Sequence, residues 1–209
     1  MNIFGHNDEK AIAEGIRRGE NRAMRDFYAQ FGGQLAAVCS RYVTQDNDVQ
    51  DVMQDAMISI IEHIDNFKYH GKGSLRAWAT RIVVNQALNF IKAKQRQNDT
   101  FADKDIGNLA YADDDNEPDI GEIPAEKIHE MIRDLPDGYR MVFNLYAIEG
   151  KSHKEIADML GIKPDSSASQ FHRAKNMLAR EIEKYKKIIK TNDHDRELET
   201  TTAKEDGQP

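Results

Sequence analysis

A chain of 209 residues with 39% hydrophobic side chains holds one or two small domains, and none of its apolar runs reaches the length of a membrane span or a signal peptide. A single cysteine excludes an internal disulfide and a cysteine-built zinc cage, and His6, His63, His70, His129, His153, His172 and His194 lack ligand spacing, so no metal or cofactor is implied. The net charge of −7 argues against a protein that coats nucleic acid, unless its acid is segregated from a basic surface.

In chain order, Cys39 lies in the apolar stretch Leu35 to Val43 and reads as a buried structural thiol rather than a redox sensor. A strongly periodic segment follows. Val49, Val52, Met53, Ala56, Met57, Ile60, Ile61 and Ile64 recur at i, i+3, i+4 and i+7, the spacing of a helix with one buried side. Asp51, Gln54, Asp55 and Glu62 make a polar stripe on another side, with Ile58 set inside it. Two readings stand: a protein-contact surface, or a solvated acidic face with one exposed apolar residue.

The loop from Asn66 to Ser74 interleaves rings and cations, Phe67, Lys68, Tyr69, His70 and Lys72, with two glycines. Rings stack on unpaired bases and cations hold phosphates, which is the combination that single-stranded nucleic acid requires. The next helix carries Leu75, Ala79, Ile82, Val83, Ala87 and Phe90 on one side. Arg81, Asn85, Asn89, Lys92 and Arg96 fall within about 80° of one another at roughly 100° per residue, so all five can face one DNA backbone or groove. Asn pairs with adenine edges, and Arg or Lys with guanine or phosphate. Trp78 projects into the same sector, where core packing is favoured over a stacking wedge because large aromatics are mostly buried.

The negative charge is concentrated between Gln97 and Pro124, where nine acidic side chains face only Lys104 and no periodicity persists. That composition reads as a flexible acidic linker, the alternative being a plain soluble spacer. Supporting helices are predicted over Ala125 to Asp134 and Tyr139 to Glu149, joined at Leu135-Pro136-Asp137-Gly138. Ser152-His153-Lys154-Glu155 is a Ser-x-x-Glu capping box opening a helix that Gly161 ends. After a tight turn, Pro164 and Asp165 begin a second helix with Ser167, Phe171, Ala174, Leu178 and Ile182 inward, and Ala157 is small enough for close packing. This is a helix-turn-helix. Its second helix offers Ser166, Ser169, Gln170 and Arg173 outward, with His172 nearby, at the end that enters a major groove. Residues 191–209, rich in Thr, Asp, Glu and Lys, read as a disordered tail.

The segment DVQDVMQDAMISIIEHIDNFKYHGKGSLRAWATRIVVNQALNFIKAKQR closely resembles region 2 of bacterial sigma factors of the extracytoplasmic-function (ECF) group, sigma-70 family. LPDGYRMVFNLYAIEGKSHKEIADMLGI resembles their region 4. The resemblance implies an all-α protein of two small helical domains, region 2 over 1–96 and region 4 over 125–190, joined by the acidic linker over 97–124. It implies a cytoplasmic, non-enzymatic factor that binds core RNA polymerase and directs promoter recognition, DNA melting and transcription initiation. The matching positions Asp51, Gln54 and Asp55, with Ile58 beside them, would contact the clamp of the largest polymerase subunit. Phe67, Lys68, Tyr69, His70 and Lys72, then Trp78, Arg81, Asn85, Asn89 and Lys92, would capture and melt the minus-ten element of promoter DNA. Ser166, Ser169, Gln170, His172 and Arg173 would read the minus-thirty-five element. The linker would thread into polymerase channels that otherwise hold nucleic acid. An anti-sigma factor wedged between the domains is a further implied partner.

One departure bears on affinity. Where relatives usually carry a β-branched apolar residue and two basic ones near the start of the recognition helix, this chain has Ser167, Ala168 and Gln170. Fewer cations anchor fewer phosphates, so the expected minus-thirty-five contact of the isolated domain is weak and lost as salt is raised. Two other classes fit the sequence less well. A free-standing helix-turn-helix regulator needs a dimer interface, and no heptad seam is visible. A metal-dependent hydrolase built on Asp46, Asp48, Asp51 and Asp55 needs a nucleophile or base converging with them, and none does.

Overall fold

The computed structural model describes residues 8–97, 121 and 123–205, with side chains up to residue 189 except that of residue 97. Eight helices and no strand occur among the described residues, and the chain divides near Asp105 into two units, each with its own core.

The first unit holds α1 (Glu9–Arg17), α2 (Asn21–Ser40), α3 (Asp46–Glu62), a short 3-10 turn (Ile64–Asn66) and α4 (Ser74–Gln97). Helix α1 starts at an Asp8 cap whose carboxylate accepts the Lys10 N–H at 3.2 Å. Ile12, Ala13 and Ile16 form its inner side. Helix α2 buries every fourth residue, Ala23, Phe27, Phe31, Leu35 and Cys39. In α3 the buried stripe is narrower than the periodicity predicts: Val52, Met53, Ala56 and Ile60 are inside, while Ile61 is 39% exposed.

Helix α4 packs against α1, α2 and α3. It therefore buries two flanks, Leu75, Ala79, Val83 and Ala87 as the pattern predicts, and also Val84, Leu88 and Ile91, which a single-stripe reading passes over. Each large aliphatic side chain fully buried here stabilises the unit by about 1.5–3 kcal/mol. Burial also pushes the Cys39 thiol up to about 11, which keeps it protonated at neutral pH.

The second unit comprises α5 (Ala125–Arg133), α6 (Asp137–Phe143) continued by a π turn (Asn144–Ile148), α7 (His153–Leu160) and α8 (Pro164–Glu205). Ile123, Met131, Ile132 and Leu135 pack against Ala174, Leu178 and Ile182 of α8. Ile123 lies within the range expected to be linker, so the core of this unit begins slightly earlier than the composition indicates; most of the expected linker lies outside the described residues. Helix α6 starts at Asp137, two residues before the predicted Tyr139, with Pro136 at its N-cap position.

Arg140 explains why that turn is stable. The residue is 4% exposed, and its guanidinium donates to the carbonyls of Arg133, at 3.1 Å, and Leu135, at 2.6 Å, at the end of α5, with Asp137 as its ionic partner. Carbonyls at the end of one helix are thus satisfied by a cation in the first turn of the next.

The helix-turn-helix forms as the capping signals predict. Ser152 Oγ accepts the Glu155 N–H at 3.3 Å and the Glu155 carboxylate accepts the Ser152 N–H at 2.9 Å. That backbone donor is the first cause holding the Glu155 carboxyl below its ordinary value. Gly161 closes α7 with φ 73°, the left-handed conformation a glycine adopts without a steric penalty. Helix α8 continues to Glu205, where a structureless tail was expected from residue 191. No glycine or proline interrupts the sequence from Asp165 to Glu205, and Lys, Glu and Arg favour continuation.

Candidate nucleic-acid interface

The loop between α3 and α4 is fixed at both stems by α1. The Glu9 carboxylate, on a residue only 8% exposed, accepts the N–H of Gly73 at 2.8 Å and of Leu75 at 2.9 Å. Arg17 Nη2 donates to the carbonyls of Ile64, at 3.2 Å, and Phe67. Between the stems, Lys68, Tyr69, His70 and Lys72 are all exposed, and Gly71 and Gly73 hold φ of 113° and 89°. Phe67 corrects the expectation that every ring of this loop meets solvent. It is 3% exposed and packs on Trp78 with ring centroids 5.5 Å apart, because the 3-10 turn ends in extended backbone that directs the ring inward.

Trp78 divides between its two readings, backed by Phe67 yet half-exposed. It lines a cleft of about 270 Å³ with Ser59, His63, Asn66, Ile82, Asn85 and Gln86. His63 Nδ1 lies 2.8 Å from the Ser59 carbonyl, so that nitrogen carries the proton and Nε2 is left as an acceptor when the ring is neutral. The volume is just under the range of about 300–1,000 Å³ usual for small-molecule sites. Beyond the cleft, Arg81, Asn85, Asn89 and Arg96 are exposed along α4. Lys92 is half-buried, and its ammonium is pushed below the ordinary lysine value first by burial and then by the charge of Arg96. A phosphate set against this pair would relieve their repulsion.

On α3, Asp51, Gln54, Asp55 and Ile58 are exposed on one face, Ile58 by 55%. Lys94 near the end of α4 pairs instead with Asp48, at 2.7 Å. The acidic residues remain a surface stripe: among the described residues no cluster of His, Cys, Asp or Glu could hold a metal ion.

In the second unit, Ser169 and His172 are exposed on α8, while Ser166, Gln170 and Arg173 are half-buried. Arg173 leans on α6, with its guanidinium 3.4 Å from the Tyr139 hydroxyl, and His172 Nε2 lies 3.0 Å from Asn176 Nδ2. Ser167 is fully buried, 3.0 Å from His153 Nδ1, and the His153 ring stacks on Tyr146 with centroids 4.5 Å apart. The unusual serine is therefore an internal contact between the two helices of the motif.

Comparison with known proteins decides the family. Sigma-70 region 2 matches residues 27–97 and Sigma-70, region 4 matches residues 125–178, together well over half of the chain. The chain belongs to the sigma-70 family. Its curated relatives include the ECF RNA polymerase sigma-E factor of Haemophilus influenzae, 26% identical over 183 residues that cover 84% of this chain and 95% of that protein. The ECF RNA polymerase sigma-E factor of Escherichia coli K12 is 25% identical over the same length, covering 84% and 94%. Among solved structures, the sigma factor RpoE of Bartonella quintana, determined in complex with the anti-sigma factor NepR, matches at 19% identity and a TM-score of 0.46, covering 77% of this chain and 96% of that one. The protein is an ECF sigma factor, which directs promoter-specific transcription initiation.

Three residues of this sigma factor that shape its surfaces escape sequence reasoning. Glu9 and Arg17 act on a loop some 50 residues or more away, and Arg140 acts through backbone carbonyls that carry no residue signature. The one available hint was Arg140, which stands three residues after Asp137 in the quoted region 4 segment.

Proposed function

We propose that this sigma factor divides its work by surface. Asp51, Gln54, Asp55 and Ile58 on α3 bind the clamp of core RNA polymerase. Lys68, Tyr69, His70 and Lys72, with Trp78 and the α4 sector of Arg81, Asn85, Asn89, Lys92 and Arg96, hold the opened minus-ten strand. Ser166, Ser169, Gln170, His172 and Arg173 meet the minus-thirty-five duplex. The observation that carries the reading is that an exposed acidic stripe with Ile58 at its centre and a ring-and-cation loop occur on successive elements of one four-helix unit. Phe67 has no place in the DNA set, since its ring supports Trp78 from behind.

Magnitudes favour melting by capture. Unstacking costs about 1.4 kcal/mol per base-pair step on average, and stacking one base on an aromatic ring returns about 1–3 kcal/mol. Tyr69 and Trp78 together offset the opening of a few steps, the cleft beside Trp78 accepts one displaced base, and lysine–phosphate contacts add a salt-dependent share. The minus-thirty-five surface carries little charge, so it acts through effective concentration once polymerase holds both units near one promoter.

The setting is the cytoplasm, where the transcription machinery works; no described helix is long and apolar enough to cross a membrane. The acidic segment over 97–124 suits basic polymerase channels. Family resemblance adds an anti-sigma factor covering the same polymerase and DNA surfaces, and an inhibitor that bound without reducing transcription would contradict that. The main test is initiation on genomic fragments by the purified chain with core polymerase. Discrete start sites with permanganate-reactive thymines just upstream are expected; initiation at random ends would contradict the reading.

A further inference from the structure

We infer that Glu9 and Arg17 of α1 form a clamp that sets the shape of the loop over Phe67 to Lys72 and thereby governs capture of the opened strand; the inference rests on the strand-holding role proposed above for that loop. A carboxylate is rarely buried unless its oxygens are used. Glu9 spends both on backbone donors, Gly73 N–H at 2.8 Å and Leu75 N–H at 2.9 Å. These lie at the start of α4, where a helix leaves N–H groups unsatisfied and favours negative charge. At the other stem Arg17 holds the carbonyls of Ile64 and Phe67 and lies 3.7 Å from Asp65.

The loop between these stems has few internal bonds of its own. Ser74 Oγ donates to the Gly71 carbonyl at 2.6 Å and accepts the His70 N–H at 3.3 Å, and the Ser74 N–H donates to the same Gly71 carbonyl at 3.1 Å. Two glycines with positive φ leave such a segment many alternative conformations, so ordering it costs free energy each time a strand binds. A clamp supplied by a separate helix meets that cost at folding, which is preorganisation. Packing of α1 does not require it, because Ile12, Ala13 and Ile16 already bury the helix. Glu9 and Arg17 are thus positioning residues, acting on DNA through Lys68, Tyr69, His70 and Lys72.

The test uses holoenzyme assembled from the full chain and core RNA polymerase. Glu9→Gln keeps the volume but offers one acceptor oxygen to two N–H groups, and Arg17→Gln shortens the other arm. Two affinities are measured for each variant: for core polymerase, and for single-stranded DNA selected from a randomised pool on the wild-type holoenzyme and labelled with 2-aminopurine. The clamp predicts unchanged core affinity, strand affinity about tenfold weaker, and a smaller 2-aminopurine signal at saturation. Loss of core and strand binding in step, in both variants, would make the two residues ordinary parts of the fold and overturn the assignment. A Lys68→Ala/Lys72→Ala variant separates the two claims. If it weakens strand binding while Glu9→Gln and Arg17→Gln match wild type, the clamp is overturned and the loop's role stands. If it too matches wild type, the loop's role fails and the clamp falls with it.

Discussion

The two units differ in the surface that each offers as a candidate nucleic-acid interface. Region 2 offers an exposed loop with two lysines and a tyrosine, a half-exposed tryptophan beside a cleft, and an α4 sector bearing Arg81, Lys92 and Arg96. Region 4 offers a helix-turn-helix whose candidate reading face is mostly neutral, with its one arginine leaning on Tyr139. On the proposed reading the first surface suits a flexible strand and the second a position on a duplex. That reading separates affinity from register and predicts that promoter binding depends on polymerase holding both units.

The largest effect should come from removing that shared support. Replacing Asp51 and Asp55 together by lysine places like charge against the partner surface and should weaken core polymerase binding by about 100-fold or more, with helicity by circular dichroism unchanged. Unaltered binding would remove α3 from the polymerase interface. Next, Lys68→Ala/Lys72→Ala should cost holoenzyme about tenfold in single-strand affinity and lower the slope of log affinity against log salt by about 1.4, at about 0.7 per neutralised phosphate. A loss with no change in slope would mean that these lysines act through shape instead of charge.

Region 4 should respond in the opposite sense. The isolated unit from residue 123 to residue 190 is expected to bind duplex DNA weakly at physiological salt, and Ser169→Arg with Gln170→Arg should tighten it and steepen the salt slope by up to about 0.9 per added contact. Tight binding by the unmodified unit would collapse the contrast between the two surfaces.

Much of the contrast was legible from local signals. The capping box at Ser152 and Glu155, the Gly161 stop and the Pro164 start are settled by neighbours a few residues apart, so α7 and the start of α8 were readable from sequence. The inner face of α3 was readable in the same way, from side chains one turn apart. Non-local contacts were not. Phe67 looks like its neighbours Tyr69 and His70 until Trp78 is seen beside it, and α4 hides a second buried flank because three helices surround it. Of the candidate site, the exposed cations and amides were visible in the periodicity, whereas the lean of Arg173 and the internal use of Ser167 depend on α6 and α7.

A smaller effect concerns the core beneath region 2. Cys39 is buried and its thiol is raised from 9.0 to about 11, so it should resist alkylation in the native protein and react quickly once unfolded. The sign of the linked stability follows. Between those values the unfolded chain releases the proton while the native state keeps it, so stability is fully present below about 9 and falls as pH rises toward 11. Rapid alkylation of the folded protein at neutral pH would contradict this burial.

The most direct measurement is size-exclusion chromatography of the purified chain with bacterial core RNA polymerase, run beside a mixture of the chain with duplex DNA alone. The account predicts co-elution with polymerase and little binding to free DNA; tight binding to free DNA without polymerase association would contradict it and favour a stand-alone helix-turn-helix regulator.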